Sequence, residues 1–119
     1  MTAVHALNQH TFASSIHQDG VVLVDFWAEW CRPCRAFAPV FEGAAAEHPE
    51  IMFASVDTEA EPALASAAKI TSVPTLMAFR DGVLVYSRPG ALAPAGLHEL
   101  IESIKALDMN EVRTQLASG

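Results

Sequence analysis

The chain is poor in several things at once. It has two cysteines, no apolar run of 18 residues, and seven Lys and Arg against 14 Asp and Glu. Each shortage excludes something. Without a long apolar run nothing spans a membrane as a helix. A net charge of −7, with seven cations spread along the chain, argues against a nucleic-acid partner, because a phosphate track could not be neutralised. Cysteines separated by only two residues close too small a loop to staple a fold. A metal centre would need a second pair, and the five histidines are scattered, so two chains would have to share ligands. No glycine-rich phosphate loop surrounds Gly82 or Gly90. The N-terminus "MTAVHALNQHTF" lacks a basic region, a sustained apolar stretch and a cleavage site. It reads as an unexported start, hence a protein of the reducing cytoplasm, where an adjacent cysteine pair is catalytic, redox-sensing or metal-binding rather than permanently oxidised.

What remains is a chain of 119 residues, 51% hydrophobic and 18% charged, enough for one domain with its own core. The hydrophobic period changes in a regular order. "AVHAL" reads as a short strand, Asn8 as an N-cap, and Phe12, Ala13 and Ile16 as a helical stripe closed by Asp19-Gly20. Val21 to Phe26 is β-branched without alternation, the signature of a central strand. Phe37, Val40, Phe41, Ala44 and Ala45 share one face of a helix that Pro39 should kink. "IMFASVD" is a strand and Pro62 to Ala68 a short helix. "TLMAFRDGVLVYSR" is a hairpin on an Asp81-Gly82 turn, and Leu97, Leu100, Ile101 and Ile104 face the core from a last helix. The order β-α-β-α-β-α-β-β-α predicts an α/β fold, a mixed sheet with helices on both faces. Residues 1–107 form the domain, and the polar segment 108–119 reads as a frayed tail.

Within "VVLVDFWAEWCRPC", Asp25 is a carboxylate placed in a strand that should be wholly buried, six residues before Cys31. Cysteines at i and i+3 in the first turn of a helix face the same way, near enough to form a disulfide with little backbone motion. Cys31, at the helix N-terminus, has its thiolate favoured by unpaired N–H groups and is the candidate nucleophile. Cys34 is the candidate resolving thiol, and it needs a proton acceptor in apolar surroundings. Burial raises the pKa of a carboxyl toward the range of thiols, so Asp25 fits that role. The plain alternative is an inert, hydrogen-bonded acid at a strand end.

"DFWAEWCRPC" resembles the active-site segment of thioredoxins, whose usual form is WCGPC. "SVPTL" resembles that family's cis-proline loop, Pro39 its helix-kinking proline, "RDG" its hairpin turn and "PGAL" its glycine loop, in order from about Asn8 to Leu107. The resemblance implies a thioredoxin fold and a protein-disulfide reductase that needs no bound cofactor. It implies a monomer fed with electrons from NADPH by a separate flavoprotein reductase, with protein disulfides as substrates. It further implies that Pro74 is cis beside the disulfide and that the backbone of Val73 pairs with an extended substrate. Trp30 is expected either in a flat apolar docking surface with Pro33, Val73, Gly90 and Ala91 or as a plain core tryptophan, and Arg32 beside it is a further substrate-binding candidate. Trp27 is expected in the core below.

Two positions depart from the pattern. Arg32 replaces the usual glycine, either favouring the Cys31 thiolate and an oxidising poise, or pointing into solvent and changing which partners dock. Phe53 stands where many thioredoxins carry a lysine near the buried acid, which should make Asp25 still harder to ionise. An oxidase or isomerase of disulfides, and a partner-binding module with incidental redox activity, are the competing functions.

Overall fold

The computed structural model describes residues 3–118. Its strands are β1 (Val4–Ala6), β2 (Val21–Trp27), β3 (Met52–Asp57), β4 (Thr75–Arg80) and β5 (Val83–Pro89). Its helices are α1 (Phe12–Ile16), α2 (Arg32–Glu47), α3 (Pro62–Ala67), α4 (Pro94–Lys105) and α5 (Met109–Ser118). The five strands form one sheet in the order β1-β3-β2-β4-β5. β3 runs parallel to both β1 and β2, whereas β4 is antiparallel to β2 and β5. β2 is therefore central, which is why its first six residues are all buried and none alternates toward solvent.

Side chains alternate across the sheet and feed two cores. On one face Val21, Leu23, Phe53, Leu76 and Ala78 meet Phe37 and Phe41 of α2 and Leu97, Ile101 and Ile104 of α4. On the other Val22, Val24, Phe26, Val56 and Phe79 meet Phe12 and Ile16 of α1 and Leu64 of α3. Removing each such side chain from water contributes about 1.5–3 kcal/mol. α2 runs as a single helix through Pro39, whose exposed position leaves the lost backbone bond on the solvent side. The hairpin turn has positive φ at both Asp81 (52°) and Gly82 (82°), the primed geometry that matches strand twist.

Two local expectations are corrected. Asn8 is not the cap of α1: Thr11 holds that position, and Asn8 Oδ1 instead accepts from the backbone N–H of His10 (2.8 Å) and Thr11 (3.1 Å), closing the turn before the helix. The segment after Leu107 is not frayed as far as it is described. It forms α5, with Asp108 Oδ1 accepting from the N–H of Asn110 and Glu111, Met109 buried, and Arg113 3.7 Å from Asp81. Anchoring of its first half by the Asp108 cap, buried Met109 and Arg113 outweighs its weak amphipathic pattern.

Candidate active site

The site forms where β2 ends and α2 begins. β2 carries Asp25 to the edge of the core, and the chain then turns tightly, Cys31 N–H donating to the carbonyl of the fully buried Ala28 at 3.1 Å. Cys31 is the N-cap of α2, with extended backbone (φ −85°, ψ 110°), and its Sγ accepts from Cys34 N–H at 3.2 Å. That is the place of the usual Ser or Asp cap, taken by sulfur at the positive end of a long helix. Cys31 and Cys34 are joined as a disulfide, their Cα atoms 5.2 Å apart. Both are buried to nearly the same extent, 4% and 3% exposed, so depth does not separate them. Their surroundings do. Cys34, not Cys31, lines a cleft of about 230 Å³ shared with Asp25, Trp27, Arg35, Ala38, Phe41, Glu42 and Ser55.

Asp25 is 4% exposed, and its buried Oδ1 has no hydrogen-bond partner among the described residues. Burial pushes its carboxyl up from 3.8 to about 7. In register Asp25 lies opposite Ser55, while Phe53 is two pairs away, opposite Leu23. The residue beside the acid is thus a serine, and Phe53 belongs to the core, its ring edge-on to Phe41 at 5.1 Å. The strand register, which one sequence does not reveal, places Ser55 there.

The second wall comes from the loop before β4. The Val73–Pro74 peptide is cis, and Val73 O lies 3.6 Å from Cys31 Sγ. Thr75 Oγ1 donates to Ser72 O at 2.6 Å, pinning the loop, and Gly90 N–H donates to Pro74 O at 2.8 Å with φ of 104°, a conformation that favours glycine. The pinning pair Ser72/Thr75 was not singled out from sequence, since both are ordinary loop residues. Trp30 is 68% exposed, and its Nε1 donates to Glu59 Oε1 at 2.6 Å. Trp30 also lines a groove of about 190 Å³ with Thr58, Ile70, Thr71, Ser72 and Val73. Arg32, Pro33, Gly90 and Ala91 are exposed at the same end of the fold. Trp27 is half-buried, lies against the two cysteines with Val73, and lines the acid's cleft rather than the deeper core. Among the described residues no group of three His, Cys, Asp or Glu side chains could hold a metal, and no helix is long and apolar enough to cross a membrane.

A disulfide inside the first turn of a helix, capped by its own sulfur and faced by a cis-proline loop, defines a protein built for thiol–disulfide exchange. The thioredoxin family profile matches residues 3–103, and the chain belongs to that family. A Streptomyces coelicolor protein provisionally named thioredoxin 2 is 47% identical over 117 residues, covering 98% of this chain and 87% of that one. Thioredoxin of Chlamydia trachomatis is 41% identical over 98 residues, covering 82% and 95%. The solved thioredoxin of Plasmodium falciparum superposes with a TM-score of 0.77 at 35% identity, covering 84% and 98%. The protein is therefore a thiol–disulfide oxidoreductase, a disulfide reductase acting by dithiol–disulfide exchange. Its family's general partners are protein disulfides and a thioredoxin reductase.

Proposed function

We propose that reduction of a substrate disulfide proceeds with Cys31 as nucleophile, Cys34 as resolving thiol and Asp25 as proton acceptor and donor. The Cys31 thiolate attacks one substrate sulfur, forming a mixed disulfide and expelling the other sulfur, which leaves as a thiol after protonation. Asp25 takes the Cys34 proton, and the Cys34 thiolate attacks Cys31 Sγ. The second substrate sulfur departs with a proton and the Cys31–Cys34 disulfide closes. Two electrons and two protons have passed from the protein dithiol to the substrate. The observation that carries this reading is the carboxyl of Asp25, unpartnered at Oδ1, raised to about 7 by burial and lining the same cleft as Cys34. A group with that pKa exchanges a proton with a thiol near neutral pH without a large penalty in either direction.

In the same reading the backbone of Val73, held by cis Pro74, pairs with an extended substrate, and Trp30, Arg32, Pro33, Gly90 and Ala91 present the surface on which it lies. Residues 1–107 are the exchange unit, and the segment from 108 braces it. The protein works as a cytoplasmic monomer with no bound cofactor, re-reduced by an NADPH-dependent flavoprotein reductase.

Arg32, adjacent to Cys31, favours a second reading in which the cation stabilises the thiolate enough to make the protein a net oxidant or isomerase. Equilibration in defined thiol buffers at pH 7 tests both. A potential near −270 mV, roughly that of a reductant, supports the first; one near −200 mV or above, roughly that of an oxidant, supports the second. Absence of a reversible Cys31–Cys34 disulfide would sink both and leave a partner-binding module.

A further inference from the structure

An acid that takes a proton from Cys34 must also be able to lose it, and the register of the sheet shows where. Side chains paired across strands stand on the same face, so the ladder sets out a row through the acid: Leu76 on β4, Asp25 on β2, Ser55 on β3 and Ala6 on β1. Exposure rises along that row. Leu76 and Asp25 are buried, Ser55 is half-buried, and Ala6 on the edge strand is exposed. Toward β4 the acid meets a leucine of the core, whereas toward β1 it meets a hydroxyl and then the surface. With strands about 4.8 Å apart, that path is roughly 10 Å long.

The cleft of about 230 Å³ that Asp25 shares with Cys34 is bounded on this side by Ser55 and by Val4 of β1. A water takes up about 30 Å³ of liquid, so several fit. The titratable and charged groups that face the acid there are Cys34, Arg35 and Glu42, all from α2, while β3 presents Ser55 and β4 presents Leu76. Arg35 is engaged, donating to Glu29 O at 2.7 Å, and both Arg35 and Glu42 are exposed. Ser55 supplies the only hydroxyl among the residues lining the cleft. Its Oγ has no hydrogen bond with any described residue, and neither has Asp25 Oδ1. Two polar groups that are neighbours in the ladder and not bonded to each other are placed to share a bridging water.

We propose that Ser55 is a positioning residue for proton exchange, its hydroxyl holding the water that carries a proton between Asp25 and solvent on the β1 side of the cleft. The inference rests on the exchange reading above and adds the route by which its acid is reset. As the Cys34 S–H bond breaks, an O–H bond forms on Asp25. That proton passes to the water on Ser55 Oγ, and a proton leaves that water for bulk. The carboxylate is restored and no electron moves in the step. When the disulfide is reduced again, the same water returns a proton inward. A serine hydroxyl accepts one hydrogen bond while donating another, as a relay requires. Burial raises the Asp25 carboxyl to about 7, so near neutral pH the proton is divided between acid and solvent and the traffic runs in both directions.

Ser55→Thr and Ser55→Val test the proposal, because the two replacements have the same shape and differ by the hydroxyl. Each pre-reduced full chain is mixed with a disulfide-linked peptide and quenched, and the decay of the mixed disulfide on Cys31 is followed by mass from pH 6 to 8, in water and in deuterium oxide. The Thr variant should resolve within about twofold of the native rate, and the Val variant about tenfold more slowly near pH 7 with a larger solvent isotope effect. Formation of the mixed disulfide, which comes before this step, should be equal in the two. Combined with Asp25→Asn, the Thr and Val rates should coincide, since the hydroxyl acts only through the acid. Equal Thr and Val rates, with Asp25→Asn alone still slow, would overturn the role of Ser55 and leave the exchange reading intact. A difference between Thr and Val that survives Asp25→Asn would assign Ser55 to packing and overturn it likewise. Native-rate resolution in Asp25→Asn would remove the acid's role and this inference together.

Discussion

Trp30 and Glu59 are tied across the mouth of the active site, the indole Nε1 donating to the carboxylate at 2.6 Å across 29 residues of sequence. The bond fixes an aromatic plate that is 68% exposed and would otherwise rotate freely. Positioning, not chemistry, is its consequence. Glu59→Ala should raise KM for a protein disulfide severalfold with kcat and reduction potential unchanged, and Glu59→Gln, which keeps an acceptor, should restore most of the loss. Because the pair is at the surface, stability should move by less than about 1 kcal/mol. Equal loss of kcat would show that Glu59 acts on the reacting groups instead.

Asp25 makes the oxidised protein less stable as pH rises. Its folded pKa of about 7 lies above the ordinary 3.8, so between those values the folded state holds a proton the unfolded chain has lost. Stability therefore falls as pH climbs through this window and levels off above it, by up to about 4 kcal/mol at roughly 1.4 kcal/mol per unit. Asp25→Asn should flatten the profile and gain most at pH 8, read from denaturant midpoints at pH 4, 6 and 8. An unchanged slope would mean the carboxyl is not shifted.

The same substitution should separate the two chemical steps. With Asn at position 25, Cys34 loses its proton acceptor, so the mixed disulfide on Cys31 should persist, with resolution slowed at least about tenfold near pH 7. Quenched single-turnover reactions followed by mass would show it accumulating. Resolution at the native rate would assign the proton to solvent.

Arg80 joins three parts of the chain. Its guanidinium donates to carbonyls at the end of α4 and lies 3.8 Å from Asp81, which also accepts from Gly20 N–H at 2.7 Å. Arg80→Ala should cost about 1–3 kcal/mol, the range for a lost charge-assisted hydrogen bond. Truncation after Leu107 should cost about 2 kcal/mol through the lost burial of Met109. Neither should alter the potential of the cysteine pair. Thermal melts with parallel thiol-buffer titrations would check both halves of that statement.

Much of this was legible in the sequence, because β2 and the hairpin announce themselves by periodicity and turn chemistry. Cys31, Cys34 and Asp25 are close in sequence, and a strand followed by a helix brings them together without long-range information. What was hidden depends on register and on distant partners. Ser55 beside Asp25, Glu59 beneath Trp30 and the pinning of Ser72 by Thr75 are set by how strands and loops align, not by local pattern. α5 escaped because its stability comes from Met109 and Arg113 meeting the rest of the fold.

The sheet ends in two strands that are poor templates. β1 contributes only three residues, and β5 carries an irregularity opposite Ala78 and Phe79 and finishes at Pro89, which has no N–H to offer. An added strand from another chain would find a short partner on one side and a bent, interrupted one on the other. Fibrillar stacking is thereby discouraged by the outline of the sheet itself, and the exposed Leu84 in β5 lacks the flat neighbour it would need to seed aggregation.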